Sequence, residues 1–214
     1  MHKKVIFIDW NRTLSYNLFW EHLSNSSHPH NKYHSPIVQW LFVDNKDIVN
    51  PWMRGAVTLD EIVEQMSRET AIDSKLIQDE LVLSCQNMSL CSPDIETIIQ
   101  ELRNKGFTVV IATDNMDTFR AYTVPALQLD KLFDDILVSS ELGVLKDDAT
   151  PSDTIKFFDA YLSEKGLNYN DAILLDDSPD SSGKYSLLGF ERVLIDSPTK
   201  LITTLNDLNT SYVA

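Results

Sequence analysis

Val5-Ile6-Phe7-Ile8-Asp9-Trp10-Asn11-Arg12-Thr13 is the stretch on which the reading of this chain turns. Its first four residues are apolar, β-branched or aromatic, with no polar alternation. That pattern describes a strand buried on both faces. The run then stops at a carboxylate followed by polar residues. Phe107–Ala112 repeats the pattern after Asn104-Lys105-Gly106, where the glycine marks a helix end. Ala172–Leu175 repeats it again and ends at Asp176-Asp177, with Ile136–Val138 and Arg192–Ile195 as shorter candidates. Between these runs lie helical patterns. Pro93–Lys105 puts Ile95, Ile98, Ile99 and Leu102 on one face, Thr154–Lys165 does the same with Ile155, Phe158 and Leu162, and Thr199–Leu208 reads as a last helix. Strands alternating with helices predict an α/β fold. The expected core is Rossmann-like, a largely parallel five-stranded sheet with helices on both faces.

Residues 15–91 break the alternation. They show no convincing strand, but helical stretches around Tyr16–Leu23, Pro36–Val43, Thr58–Glu69 and Ser74–Met88. Thr58 with Glu61 has the spacing of a capping box. The expected organisation is therefore a core of residues 1–14 and 92–214 interrupted by an α-helical cap of residues 15–91. The polar segment Ser24–His34 reads as a mobile loop. It holds His28, His30 and His34, but its Ser, Asn and Pro content predicts solvent exposure rather than a zinc site. Trp10, Trp20, Trp40 and Trp52 read as packing residues.

Composition narrows the function. The chain of 214 residues carries 18 Lys+Arg against 32 Asp+Glu, a formal net charge of -14. Such a balance disfavours nucleic-acid backbones and anionic membranes as partners. Cys85 and Cys91, the two cysteines, cannot make a disulfide framework and fit no common zinc spacing. They read as reduced thiols, and with no targeting or spanning segment in view the expected compartment is the cytoplasm. Oligomeric state is left open.

Chemistry in a parallel sheet gathers at the carboxyl ends of the strands. Here those ends carry Asp9 to Thr13, then Thr113-Asp114-Asn115, then Asp176-Asp177-Ser178-Pro179-Asp180, with Lys146 in a loop between them. Three carboxylates on two strand ends would repel one another unless a cation sat among them. Oxygen-only ligands suit Mg²⁺ before Zn²⁺. Lys146 and a threonine hydroxyl are candidates to hold phosphate oxygens. Asp180 has a structural alternative, a charge near a helix start, with Ser178 as its cap and Pro179 at its first position.

With these motifs in order, the chain resembles the haloacid dehalogenase-like (HAD) hydrolases of the subclass with a helical cap after the first motif. Phe133-Asp134-Asp135-Ile136, Ser139, Glu141 and Gly143 before Lys146, and Gly189 after the last motif, resemble that family too. The resemblance implies a Mg²⁺-dependent phosphohydrolase acting on a small phosphorylated metabolite through an aspartyl-phosphate. Asp9 would be the nucleophile. Asp9, the Asn11 main-chain carbonyl and Asp177 would hold Mg²⁺, with Asp176 or Asp180 acting through bound water. Thr113 would donate to a phosphate oxygen, with Asp114 and Asn115 beside it, and Lys146 would neutralise charge and orient Asp9.

Three departures from the family pattern matter. Asn11 stands where such phosphatases carry a second Asp as general acid and base, and an amide does neither at neutral pH. The expected enzyme is weak and biased toward good leaving groups. Arg12 stands where glycine is common, and its guanidinium is a candidate for a substrate anion. After Lys146, Asp147-Asp148-Ala149-Thr150-Pro151 makes a longer, more acidic loop than usual, which bears on where Lys146 lies. Two rivals stand beside this reading: a phosphate- or metabolite-binding protein without turnover, and a metal-independent dehalogenase using the same Asp.

Overall fold

A computed structural model describes residues 3–148, 150–151 and 153–211. Ala149, and with it part of the acidic loop after Lys146, lies outside the described residues. Five parallel strands form one sheet in the order β3-β2-β1-β4-β5: β1 (Val5–Ile8), β2 (Thr108–Thr113), β3 (Asp135–Val138), β4 (Ala172–Asp176) and β5 (Glu191–Leu194). β1 is central. Val5 pairs with Thr108 on one side and with Ala172 on the other, and every residue of β1 is buried. This accounts for the unbroken apolar run that opens the motif.

The two-residue period divides the sheet between two cores. Ile6, Ile8, Val109, Ile111, Ile173 and Leu175 face one side. There they meet α5 (Asp94–Asn104) and α11 (Pro198–Ser211). Val5, Phe7, Val110, Ala112 and Leu174 face the other and meet α9 (Lys156–Glu164) through Phe157, Phe158 and Leu162. The four buried apolar residues of α5, at helical spacing, contribute roughly 2 kcal/mol each by burial. A charge at Ile98 would detach that helix. Shorter helices complete the core: α6 (Val124–Leu127), α7 (Leu129–Leu132), α8 (Ser139–Leu142) and α10 (Lys184–Leu187).

Between β1 and α5 the regular elements are helical, α1 (His34–Gln39), α2 (Val49–Met53), α3 (Leu59–Thr70) and α4 (Ser74–Gln86), joined by 3-10 and π turns and by irregular segments. These elements gather a third apolar cluster around Trp20, Trp40, Trp52, Ile62 and Leu81. The capping box at the start of α3 is present, with Glu61 N–H donating to Thr58 and Thr58 N–H to Glu61. Several contacts tie the insertion to the sheet. Trp52 Nε1 donates to Asp117 at 2.8 Å, Ser139 Oγ donates to the Met53 carbonyl at 2.6 Å, and a Cβ on Gly55 would collide with the Ser140 carbonyl.

Two expectations need correction, and one helix was not expected. Tyr16–Leu23 is not an α-helix; only Glu21–Ser24 makes a short 3-10 turn. Trp20 adopts a left-handed backbone and its N–H goes to Ser84 Oγ, so tertiary partners replace helical ones. α2 is absent from the sequence reading; Pro51 stands inside it, in the first turn, where no N–H is required. Ser24–His34 is not an open loop. Asn31 Nδ2 donates to the Leu23 carbonyl at 2.7 Å, and His30 pairs with Glu80 on α4. Cys85 and Cys91 carry free thiols, and burial pushes that of Cys85 up to about 12. Among the described residues, no helix is long and apolar enough to cross a membrane.

Candidate active site

From β1 the chain builds outward to β3 and then returns to place β4 on the other side of β1. The carboxyl ends of β1 and β4 therefore flank the point where strand order reverses, which is where such sheets form a crevice. Asp9 follows β1, Asp176 ends β4 and Asp177 follows it. Carboxylate oxygens of all three lie within 4.8 Å of one another. They line a cavity of about 180 Å³ with Asn11, Asp114, Lys146, Asp147, Ser178 and Arg192. The strand tips thus bring together most of the residues that the sequence singles out.

Lys146 is the centre of the ion-pair network. Its Nζ lies 2.9 Å from Asp9 Oδ1 and 2.6 Å from Asp176 Oδ2, and the side chain is 5% exposed. Burial opposes its charge, but Asp9, Asp176 and Asp114 outweigh burial and hold the ammonium protonated above its ordinary range. The acidic loop after it is pinned on both sides. Asp147 accepts from Arg192 Nη1 at 2.7 Å. Asp148 pairs with Arg54 of the insertion and accepts from Leu145 N–H. Asp114 Oδ1 accepts from Lys146 N–H at 3.0 Å, and Tyr185 donates to the Lys146 carbonyl at 2.9 Å. The longer loop therefore does not displace Lys146; its two carboxylates are what anchor it.

The sequence reading missed Arg192. Its guanidinium is nearly fully buried; Nη2 donates to Asp176 Oδ1 at 3.0 Å, and the group stacks over Tyr185 at 4.8 Å. A signal was present: an arginine inside an apolar strand run must find a carboxylate. With Lys146 on one oxygen and Arg192 and Ser178 N–H on the other, both Asp176 oxygens are engaged. Burial raises the Asp176 carboxyl, but the two cations outweigh it and hold it below the ordinary range. Asp9 behaves in the opposite way. Burial pushes it up to about 7, against the pull of Lys146. Asp177 is half-buried, with Oδ1 accepting from Ser178 Oγ at 3.2 Å.

Other predicted residues fall differently. Thr113 Oγ1 is buried and has no partner among the described residues, as is true of Thr13 Oγ1. Asp114 is committed to the Lys146 loop, and a carboxylate adds repulsion rather than a donor for phosphate. Asn115 also supports the backbone: its N–H donates to Ser139 Oγ, its Oδ1 accepts from Met116 N–H, and it is absent from the cavity wall. Asp180 accepts from Ser186 N–H and Oγ at 2.9 and 3.0 Å, so it holds the first turn of α10, outside the cavity. Ser178 caps no helix, because α10 starts six residues later at Lys184. Arg12 has φ 55°, the left-handed backbone that explains a glycine preference there.

Asn11 and Arg12 also line a second, larger cavity of about 630 Å³ under the insertion. Its wall is mainly apolar, with Phe19, Val38, Phe42, Met53, Met88 and Met116. Asn11 thus stands where the acidic cavity meets the apolar one.

No protein-family model and no curated protein matches the sequence. Solved structures do match its fold. A HAD-like family hydrolase from Porphyromonas gingivalis superposes with a TM-score of 0.73 at 16% identity, over 98% of this chain and 99% of that one. A HAD family enzyme from Bacteroides thetaiotaomicron, in complex with magnesium and inorganic phosphate, gives 0.64 at 15%, over 92% and 96%. An L-2-haloacid dehalogenase gives 0.62 at 15%, over 93% and 87%. The fold of this chain is that of the HAD-like hydrolases.

Proposed function

We propose that this HAD-like fold works as a Mg²⁺-dependent phosphohydrolase on a small phosphorylated metabolite, through an aspartyl-phosphate on Asp9. The observation that carries this reading is the charge of the small cavity. Five carboxylates, Asp9, Asp114, Asp147, Asp176 and Asp177, line it against two cations, Lys146 and Arg192. Both cations are already spent on carboxylates. A phosphate dianion would be repelled from such a site without a divalent cation.

The donor set fits Mg²⁺. Asp9, Asp177 and the Asn11 main-chain carbonyl offer hard oxygens and no nitrogen or sulfur. Asp176, held at both oxygens, would position the cluster rather than ligate. When bound, Mg²⁺ supplies positive charge that offsets the cavity's excess and polarises the phosphoryl group. The chain does the rest. Lys146 holds Asp9 by one oxygen and leaves the other for phosphorus. As the Asp9–phosphorus bond forms, the ester oxygen leaves with its electron pair. Thr113 Oγ1, a buried donor without a partner, would donate to a phosphate oxygen. Water then attacks phosphorus, releases phosphate and restores Asp9. Asn11 cannot protonate the leaving oxygen, so a proton must come from solvent or from the substrate. The larger cavity would take an apolar organic body, with Arg12 available to an anionic substituent, and the helical insertion would serve as the cap that selects it.

A phosphate-release panel with Mg²⁺, run beside Asp9→Asn, tests this. Turnover that requires Mg²⁺ and is lost in Asp9→Asn supports the reading. Halide release from a 2-haloacid that persists with chelator would favour dehalogenation, and Mg²⁺-dependent phosphate binding without turnover would favour a binding protein.

A further inference from the structure

A second cluster of ligand-type side chains lies in the insertion and shares no residue with the acidic cavity. His22 and His28 come from the Glu21–Asn31 segment and Glu80 from α4. One ring nitrogen of each histidine and a carboxylate oxygen of Glu80 lie within 4.8 Å of one another. His22 Nε2 is 2.7 Å from Glu80 Oε2, and the His22 and His28 rings are 5.4 Å apart. His30 pairs with the other Glu80 oxygen, Oε1. Glu80 is 7% exposed, an unusual depth for a carboxylate on a surface helix.

From this geometry we infer a transition-metal site, with Zn²⁺ as its ion, liganded by His22, His28 and Glu80. Two imidazoles and one carboxylate make a mixed nitrogen and oxygen set, which suits Zn²⁺ and disfavours Mg²⁺ or Ca²⁺. His30 is the positioning residue. By holding Oε1 it fixes the carboxylate and leaves Oε2 for the metal, the usual task of an outer-shell partner. Tetrahedral Zn²⁺ with ligands at about 2.1 Å needs roughly 3.4 Å between them, so the His22–Glu80 pair opens by less than an ångström to admit the ion. The fourth position stays open to solvent on the half-buried His28 side. Such an ion would staple the Glu21–Asn31 segment to α4. Glu21 and Ser24 of that segment, and His34 just after it, also line the apolar cavity, so the staple would fix one wall of the substrate pocket. The site stands whether or not Asp9 is a nucleophile.

Titration calorimetry of the untagged full chain with Zn²⁺, in saturating Mg²⁺ to fill the acidic cavity, tests this inference. One tight Zn²⁺ per chain is expected, with a higher melting temperature that chelator reverses. The half-buried His28 ring accepts a 3.2 Å hydrogen bond from the His30 N–H and makes edge contacts with the His22 and His30 rings, all local to the segment, so His28→Ala should fold normally and lose Zn²⁺ binding. His30→Ala should retain the site with affinity reduced by about tenfold or more. Co²⁺ in place of Zn²⁺ should give visible absorption that His28→Ala abolishes. No tight binding, or binding equal in the wild type and His28→Ala, would overturn the inference and leave the cluster as a hydrogen-bonded His–Glu–His clasp.

Discussion

In the Asn11→Asp variant, a carboxyl replaces a carboxamide of the same shape where the acidic and apolar cavities meet. The side chain of Asn11 is exposed and has no hydrogen-bond partner among the described residues, so the exchange breaks nothing. It adds a group that can protonate a leaving oxygen and later take a proton from water. General acid–base help is worth about 10² to 10⁴ in rate, or about 2.7 to 5.5 kcal/mol of barrier. The cavity opposes part of that gain. Its carboxylates already outnumber its cations, and one more costs about 1 kcal/mol at 4 Å through water. The expected net gain in kcat/KM is about 10²-fold for an alkyl phosphate and nearer tenfold for an aryl phosphate, whose leaving group needs little protonation. Steady-state phosphate release on both substrates reads this directly, and the variant should also show an alkaline decline that the wild type lacks. Equal or lower rates on both substrates, with Mg²⁺ affinity unchanged, would refute the assignment of Asn11 to the missing acid.

Further outcomes follow from the ion pairs. Because the Asp9 carboxyl is raised to about 7 without a cation, Mg²⁺ must displace its proton at lower pH. Mg²⁺ affinity should climb toward tenfold per pH unit below 7 and level off above it, as followed by calorimetry. The same shift makes the metal-free chain lose stability as pH rises from the unfolded value of 3.8 toward 7, and Mg²⁺ should reverse that loss. Lys146→Met strands Asp9 and leaves Asp176 to Arg192 alone among cations, and should cost about 3 to 5 kcal/mol in denaturant unfolding above pH 7, with part recovered on adding Mg²⁺. Arg12→Gly relieves a left-handed backbone and should gain about 1 kcal/mol of stability, while raising KM for substrates that carry a second anion.

Much of this architecture was legible in the chain itself. β1 was readable because a strand paired on both edges and packed on both faces must be continuously apolar, and its end at Asp9 located the crevice. The α3 start was readable from Thr58 and Glu61, since a capping box is a local interaction. What escaped was non-local. Arg192 looks like an interrupted strand until Asp176 and Asp147 are beside it, the latter 45 residues away. The placement of Lys146 depends on Asp148 meeting Arg54 across 94 residues. Asp114, Asn115 and Asp180 have the residue types of a phosphate or metal site, but their oxygens are taken by backbone N–H groups close in space. His28 and His30 sit among loop-forming residues, and only the fold brings Glu80 beneath them.

The most direct test of the central claim is acid-quench mass spectrometry of the Asp9 peptide during turnover of a reactive aryl or acyl phosphate with Mg²⁺. The expected result is a peptide heavier by one phosphoryl group, labile at high pH, absent with chelator and absent in Asp9→Asn. Turnover in which Asp9 never carries phosphate, at a rate unaffected by chelator, would contradict the account.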